Sequence, residues 1–170
     1  NVLKTSLFPF LASDLTYRAN KENFGKLHLY NSRQKVLHSK KLASYLSQFE
    51  ITKEKRVQFL DRYALPSITT KAKVMFHHHF ENGLNYTLLE CARLGLPVVH
   101  NSEFMPELGY YYKRANLTDG AKQLEAALNH EDRTDLEKYE QSSLEVIKKF
   151  SIYNPANIRG YQTLLANLLD

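Results

Sequence analysis

Apolar positions along this chain follow two spacings, one typical of strands and the other typical of helices. Four short apolar runs predict strands, at 26–30, 56–60, 74–78 and 97–100. Stretches in which apolar residues recur every three or four positions predict helices between them, at 7–15, 37–49 and 86–94. Because strands and helices alternate, the pattern predicts an α/β domain with a mainly parallel sheet and right-handed crossovers.

Beyond residue 100 the pattern becomes mainly helical. A short element is predicted around 104–108, and apolar stripes predict helices at 118–129 and 134–150. Asn154 and Pro155 are a favoured cap and first residue for a last helix. With 170 residues, 43% of them hydrophobic, the chain is long enough for one well-cored domain over 1–170.

Composition bears on partners and on the compartment. The net charge of +5 favours an anionic partner such as a nucleotide, a phospholipid surface or a nucleic acid. Nucleic acid is not expected, because the sequence contains no arginine-rich run, RNA-binding aromatic signature or zinc-finger spacing. The single cysteine, Cys91, excludes a disulfide framework and suits a reducing, cytoplasmic compartment. No apolar run approaches the roughly 18 to 20 residues of a membrane span, and a start at Asn1 instead of Met suggests a fragment of a longer protein.

The segment 79–102 is the main candidate for chemistry, because it combines a polar loop, a capped helix and a buried strand. Asn85 is a favoured N-cap, so the helix begins at about Tyr86 and presents its unpaired N–H groups to the preceding loop. At the carboxyl end of a parallel strand, such a helix start favours an anion, and Gly83 lets the backbone come close to it. Glu90 lies about 7.5 Å further along the helix axis, where a carboxylate can accept hydrogen bonds from ribose hydroxyls.

The same segment resembles the donor-binding half of GT-B glycosyltransferases. In many retaining members of that class, a Glu, seven residues and a second Glu precede an Ala-Leu-Ala-x-Gly-x-Pro-Val-Val stretch. The run from Glu90 to Val99, Glu-Cys-Ala-Arg-Leu-Gly-Leu-Pro-Val-Val, looks like the second half of that motif. Pro106 and Glu107 resemble the Pro-Glu that follows the strand in the family, and the broader pattern is similar to a group of bacterial members.

This resemblance implies a Rossmann-like three-layer sandwich that forms the C-terminal half of a GT-B fold and ends in helices. It implies that Glu90 binds ribose and that the backbone of Gly83, Leu84, Asn85 and Tyr86 meets the diphosphate of a nucleotide-sugar donor. No metal or other cofactor is expected. The acceptor, a glycan, lipid or protein, would bind mostly on a missing N-terminal domain, so the fragment alone is expected to bind nucleotide without turnover.

The sequence departs from the family motif at one point. The position seven intervening residues before Glu90 is Asn82, and the nearest acid, Glu81, comes one residue too early. Either Asn82 takes the place of the first Glu, near the transferred sugar, or a loop shift brings in Glu81. Retention and inversion of the sugar configuration therefore both stay open.

Other polar residues have two interpretations each. Asn101 and Ser102 follow an apolar strand, so they either contact the donor or cap the next short helix. Lys4 and Arg62 are candidate diphosphate partners, because the family uses a basic group from early in this domain, or else they are ordinary surface residues. Arg62 is slightly favoured because it follows a strand end.

Three consecutive histidines, His77 to His79, invite a metal hypothesis that strand geometry opposes, because alternate side chains point to opposite faces. His79 either contacts sugar or phosphate or has a structural role. The tyrosine run at 110–112 either stacks on a base or sugar or packs in the core. The basic excess at 40–41, 53–56 and 148–149 suits solvated helix faces or a peripheral contact with the inner membrane.

Two other functions remain open at this point. A GT-B-fold nucleotide-sugar epimerase would share the donor cleft but need acids and histidines from both halves of the enzyme. A non-catalytic interaction module would keep the Rossmann-like core and bind a partner through its basic face.

Overall fold

The structure, a computed structural model, describes residues 6–81, 84–129 and 133–169. Within these ranges the helices are α1 (Leu7–Ala19), α2 (Arg33–His38), α3 (Lys40–Leu46), α4 (Glu50–Lys53), α5 (Leu65–Thr69), α6 (Tyr86–Arg93), α7 (Leu117–Leu128), α8 (Arg133–Lys149) and α9 (Pro155–Leu169). The strands are β1 (Leu27–Leu29), β2 (Val57–Phe59), β3 (Met75–Phe76), β4 (Val98–His100) and β5 (Tyr110–Tyr111).

All described strand pairs are parallel, as the alternation of strands and helices predicts. β1 pairs with β2, with Leu29 opposite Phe59. β4 lies between β3 and β5, with Val99 opposite both Phe76 and Tyr110. Because each strand is only two or three residues long, the hydrogen bonds form two short ladders in place of one continuous sheet.

β4 separates two apolar cores. Its neighbouring residues Val98 and Val99 are fully buried and point to opposite faces, as the pleat of a strand requires. Val99 joins the core of Phe10 from α1 and Leu124 from α7, whereas Val98 joins the core of Leu88 from α6 and, from α8, Val146. Helices therefore cover both faces of the sheet, and the predicted α/β fold class is confirmed.

The helix boundaries follow local capping chemistry. The Asn85 side chain accepts a hydrogen bond from the Thr87 N–H at 3.1 Å, which confirms the predicted start of α6. The Asn154 side chain likewise accepts from the Ala156 N–H at 2.9 Å before α9. The prediction of one helix over 37–49 is wrong: Ser39 is extended and its hydroxyl caps a new helix, so α2 ends at His38 and α3 begins at Lys40 and ends at Leu46.

The segment between β4 and β5 holds turns where a short element was expected at 104–108. Its return to the sheet depends on Gly109, whose φ is +59°. A Cβ at that position would lie 2.6 Å from the Val98 carbonyl oxygen, so only glycine allows this approach of backbone to β4.

Two features concern the surface of the described chain. None of its helices is long and apolar enough to cross a membrane. The apolar stripe of α9 is exposed along its length, with Tyr161, Leu165 and Leu168 each more than half exposed.

Candidate functional site: a cleft at the strand ends

The carboxyl ends of β1, β2 and β3 open into a cleft of about 1340 Å³. The starts of α1 and α6 also border it, through Ser6 and Thr87. In an open parallel sheet this is the edge where ligands bind, and helix starts there offer N–H groups to anions. The lining residues are 6–11, 28–32, 35–36, 42, 46, 59, 62–65, 68, 75–78, 80 and, at the start of α6, 87.

The charges on the described lining are of one sign. Lys35 on α2 and Arg62 after β2 both line the cleft and are exposed, and the lining that the structure describes contains no Asp or Glu. The other lining residues are mostly apolar or aromatic. No carboxylate of the described lining offsets the positive charges of Lys35 and Arg62. The cleft is suited to a ligand that combines an apolar or aromatic part with a negative charge.

A buried polar group lies in the wall of the cleft. His78 is 1% exposed, its ring stacks on Phe8 at 4.1 Å between centroids, and its Nδ1 lies 2.8 Å from the Tyr112 hydroxyl. The Tyr112 hydroxyl also lies within hydrogen-bond distance of the His77 carbonyl oxygen, at 3.3 Å, so it links the side chain of His78 to the backbone of His77. Burial lowers the pKa of His78 to about 4, and the neighbouring His79 adds to this. His78 is therefore neutral at pH 7.

Asn85 joins the end of β3 to the start of α6. Its amide nitrogen donates to His77 Nε2 at 3.0 Å while its oxygen caps α6 through Thr87. Because Asn85 is buried and both ends of its side chain are engaged, its role in the described structure is to fix the helix start beside the cleft.

The polar residues after β4 hold the backbone of neighbouring segments. The Asn101 amide accepts from the His79 N–H at 3.1 Å and donates to the His79 carbonyl at 2.8 Å. His100 Nδ1 accepts the Ser102 N–H at 3.0 Å, so its other ring nitrogen carries the proton that it donates to the Leu108 carbonyl. Burial lowers the pKa of His100 to about 4.

The predicted site residues fall into separate groups. Arg62 lines the cleft, as expected of a residue after a strand end. Three predicted residues are exposed and lie outside the described lining, namely Glu81, Tyr86 and Glu90. Leu84 packs against the apolar core that contains Leu88 and Val98. The residues Lys4, Asn82 and Gly83 lie outside the described residues.

Tyr30, Lys35 and Tyr63 are among the lining residues that sequence reasoning missed. Tyr30 is the last residue of one predicted strand and Tyr63 comes three residues after another, so their position at strand ends was the available signal. Lys35 had no comparable signal, because a lysine on a short helix is ordinarily a solvated residue.

The histidine run behaves as strand geometry predicts. The rings of His77 and His79 lie 5.6 Å apart, while His78 between them contacts Phe8 and Tyr112. Across the described ranges, no group of three or more His, Cys, Asp or Glu residues is placed to hold a metal ion.

Fold and cleft together define an α/β domain with a cleft at the carboxyl ends of parallel strands. The chain belongs to the family described as "Protein of unknown function (DUF2827)", whose model matches residues 1–165. Curated protein sequences give no significant match.

Solved structures place the fold among GT-B glycosyltransferases. TarM matches with a TM-score of 0.68 and 19% identity, over 95% of this chain and 32% of its own. A variant of S. aureus TarM in complex with fondaparinux, alpha-GlcNAc-glycerol and UDP matches with a TM-score of 0.67 and 14% identity, over 92% and 32%. The pneumococcal O-GlcNAc transferase GtfA in complex with UDP and GlcNAc gives 0.60 and 15%, over 98% and 33%. The chain spans about a third of the length of these structures, and at such identities the likeness establishes the fold alone.

Proposed function

We propose that the cleft binds a nucleotide-diphosphate sugar and that this chain is the donor-binding domain of a glycosyltransferase. The observation that supports this most is the composition of the cleft. Lys35 and Arg62 face it without an opposing carboxylate in the described lining, at the sheet edge where parallel α/β domains bind ligands. The fold is also similar to that of proteins whose structures contain UDP.

The proposed donor contacts come from the resemblance to GT-B donor domains, since Tyr86 and Glu90 themselves lie outside the described lining. The diphosphate lies over the start of α6, against the backbone of 82–86, and is neutralised by Arg62 or by Lys4. Glu90, one turn beyond the lining residue Thr87, binds ribose. Asn101 supports the donor indirectly, through the His79 backbone that it holds, and Ser102 lies beside it with its N–H bonded to the His100 ring.

Acceptor binding and any membrane contact are proposed for surfaces outside the cleft. A second domain supplies most of the acceptor site for a glycan, lipid or protein, and it packs against the exposed apolar stripe of α9. The exposed basic residues Lys40 and Lys41 would serve a peripheral contact with an anionic membrane. No catalytic residue is assigned.

Calorimetric titration with UDP, GDP, CMP and ADP sugars tests the proposal. We expect saturable binding of at least one nucleotide, weakened about tenfold by Arg62→Gln, because a charge-assisted hydrogen bond contributes about 1.5–3 kcal/mol. Arg159→Gln is the matched control, since Arg159 is exposed on α9 and lies outside the cleft lining. Glu90→Ala tests the ribose contact.

Absence of binding by every nucleotide would overturn the proposal. Salt-steep binding to DNA or RNA would support an interaction module in its place, because phosphate neutralisation releases counterions. Product analysis on the full-length protein separates transfer from epimerisation.

A further inference from the structure

We propose that the junction of α2 and α3 docks this chain on an anionic lipid membrane, with Leu37 inserted among the lipid headgroups and Lys40 and Lys41 against their negative charges. Residues 37–45 are called the α2–α3 corner below. This assignment rests on the proposed function, which includes a peripheral membrane contact, and it gives that contact one surface and an apolar residue.

The packing of the α2–α3 corner turns Leu37 away from the protein. Val36 and Leu42 both pack against the apolar core that contains Phe10. Leu37 follows Val36 by one helix position, about 100° around the axis, and it is 65% exposed. Ser39 is extended and its hydroxyl accepts the Leu42 N–H at 3.2 Å, so one capping residue joins the two helices. Leu37 is therefore held at the surface by packed and capped helices, and it contributes little to the core.

The charges next to Leu37 in the chain are all positive. Lys40 and Lys41 are exposed and form no salt bridge within the part of the chain that the structure describes. The segment 23–49 contains no Asp or Glu, although the whole chain has 18 such residues. Asp61, which contacts α2 from outside this segment, is paired with Arg33 at 3.2 Å. An anionic surface can therefore approach the two lysines without repulsion from a carboxylate of this segment.

Tyr45 adds an amphipathic ring to the same side of α3. It comes one turn after Lys41, so the two side chains share a face, and it is 43% exposed while its ring contacts Phe49 at 5.2 Å between centroids. Tyrosine favours the boundary between apolar and aqueous phases.

An exposed leucine beside lysines and a tyrosine fits the headgroup region of an anionic bilayer, which takes up apolar side chains and attracts basic ones. A nucleic acid would use Lys40 and Lys41 through its phosphates but would leave Leu37 in water. The combination of residues at the α2–α3 corner therefore favours a membrane as the partner.

Sedimentation with lipid vesicles measures the contact on the whole chain. Vesicles of phosphatidylcholine are compared with vesicles of equal parts phosphatidylcholine and phosphatidylglycerol. We expect the chain to prefer the anionic vesicles. The double variant Lys40→Gln/Lys41→Gln should lower the partition coefficient at least about tenfold, because one lysine near an anionic surface contributes about fivefold. The matched control, Lys71→Gln/Lys122→Gln, removes two exposed lysines elsewhere and should bind nearly as well as the wild-type chain.

Fluorescence tests the insertion of Leu37. The chain contains no tryptophan, so Leu37→Trp introduces a single reporter. Its emission should shift to shorter wavelengths on anionic vesicles, because the indole ring moves from water into the headgroup region. Leu94→Trp is the control, since Leu94 is 57% exposed at the end of α6, and its emission should stay unchanged. Leu37→Ser should weaken vesicle binding at least about fivefold, because it removes apolar area that the membrane would bury.

Equal partitioning of the wild-type chain into neutral and anionic vesicles would overturn the membrane contact. An equal loss in the two double-lysine variants would also overturn it, since binding would then follow net charge alone. Unshifted Leu37→Trp emission on vesicles that bind the chain would place the contact on another surface. Salt-steep binding to DNA or RNA without vesicle binding would replace the membrane by a nucleic acid.

The nucleotide-sugar titration is a separate measurement that needs no vesicles. A chain that binds a nucleotide sugar but no vesicle therefore refutes the membrane contact and keeps the donor-binding proposal. A chain that binds anionic vesicles through Leu37 but no nucleotide refutes donor binding alone.

Discussion

Replacement of Asn101 by alanine should destabilise the domain more than replacement of an exposed asparagine. The reason is that the Asn101 side chain bonds both backbone polar groups of the buried residue His79. Asn101 accepts from the His79 N–H at 3.1 Å and donates to the His79 carbonyl at 2.8 Å, and His79 is 4% exposed. These bonds tie the segment after β4 to the segment after β3, which carries the chain into the loop before α6.

The magnitude follows from the two hydrogen bonds that the substitution removes. The loss of a hydrogen bond by a buried donor or acceptor costs about 1–3 kcal/mol, so Asn101→Ala should lower the free energy of unfolding by about 2–6 kcal/mol. That is a large part of the roughly 5–15 kcal/mol by which ordinary domains are stable. Asn101→Asp keeps the acceptor for the His79 N–H but places a carboxylate oxygen against the His79 carbonyl, so it should be at least as damaging at neutral pH.

The Asn101→Asp variant also has a pH signature. Only a protonated carboxyl can donate to the His79 carbonyl, so folding should raise the pKa of the introduced carboxyl group above its unfolded value of about 3.9. The folded state then binds the proton more tightly than the unfolded state, and the stability of this variant relative to Asn101→Ala should rise as the pH falls toward that value. A difference between the two variants that does not change with pH would contradict this account.

Urea unfolding followed by far-UV circular dichroism measures these free energies, with Asn167→Ala as the control, because Asn167 is exposed on α9. Hydrogen exchange at the His79 amide gives a local readout, since Asn101→Ala removes the acceptor of that N–H. A loss below about 1 kcal/mol, similar to an ordinary surface change, together with unchanged exchange at His79, would refute the reasoning.

Three further predictions concern the core. Gly109→Ala should lower the free energy of unfolding by about 2–4 kcal/mol, since its positive φ alone costs about 1–2 kcal/mol in alanine and a Cβ would overlap the backbone of β4. A Cβ at Gly160, on α9, would meet no other atom within 4 Å, so Gly160→Ala should raise the free energy of unfolding by up to about 1 kcal/mol. Equal urea midpoints for Gly109→Ala and Gly160→Ala would contradict these two expectations. The free energy of unfolding should fall as the pH drops from about 6.5 to about 4. In this range the histidines of the unfolded chain bind protons, whereas His78 and His100 in the folded chain, each with a pKa of about 4, do not. A free energy of unfolding that stays constant over this range would contradict the prediction. Cys91, buried and with its pKa raised to about 12, should react with a thiol reagent only on unfolding, and rapid labelling of the native chain would disprove that.

Elements whose boundaries depend on local chemistry could be predicted from the sequence. Asn85 caps α6, as its residue type predicts, and Gly95, with φ of +71°, follows the end of the helix. β4 could also be predicted from its apolar run, because a strand that is buried on both faces contains apolar residues at consecutive positions. The split of the region 37–49 was not, since apolar spacing continues across Ser39 while the serine hydroxyl starts a new helix.

The site was less predictable because it depends on which strands are neighbours. Arg62 was found by the rule that polar groups after a parallel strand face the ligand edge. The same rule pointed to Asn101, whose amide the structure shows bonded to the backbone after β3. That role requires knowing that β3 and β4 are adjacent, which no local pattern encodes.

A polar residue after a parallel strand is therefore a good candidate for ligand contact only if the backbone beside it does not need its side chain. This condition matters most where strands are as short as these. With two or three ladder residues in a strand, backbone groups just beyond the ladder have no strand partner, and buried ones must be satisfied by side chains. Asn101, directly after β4, and His100, the last residue of β4, meet that need through their side chains. After β1 and β2 the backbone continues its own pairing, with the Ser32 N–H bonded to the Leu60 carbonyl at 3.0 Å, so side chains there stay available. This difference leaves the side chains of Tyr30, Arg62 and Tyr63 available to the cleft, and it makes the β1 and β2 side the better place to seek ligand contacts.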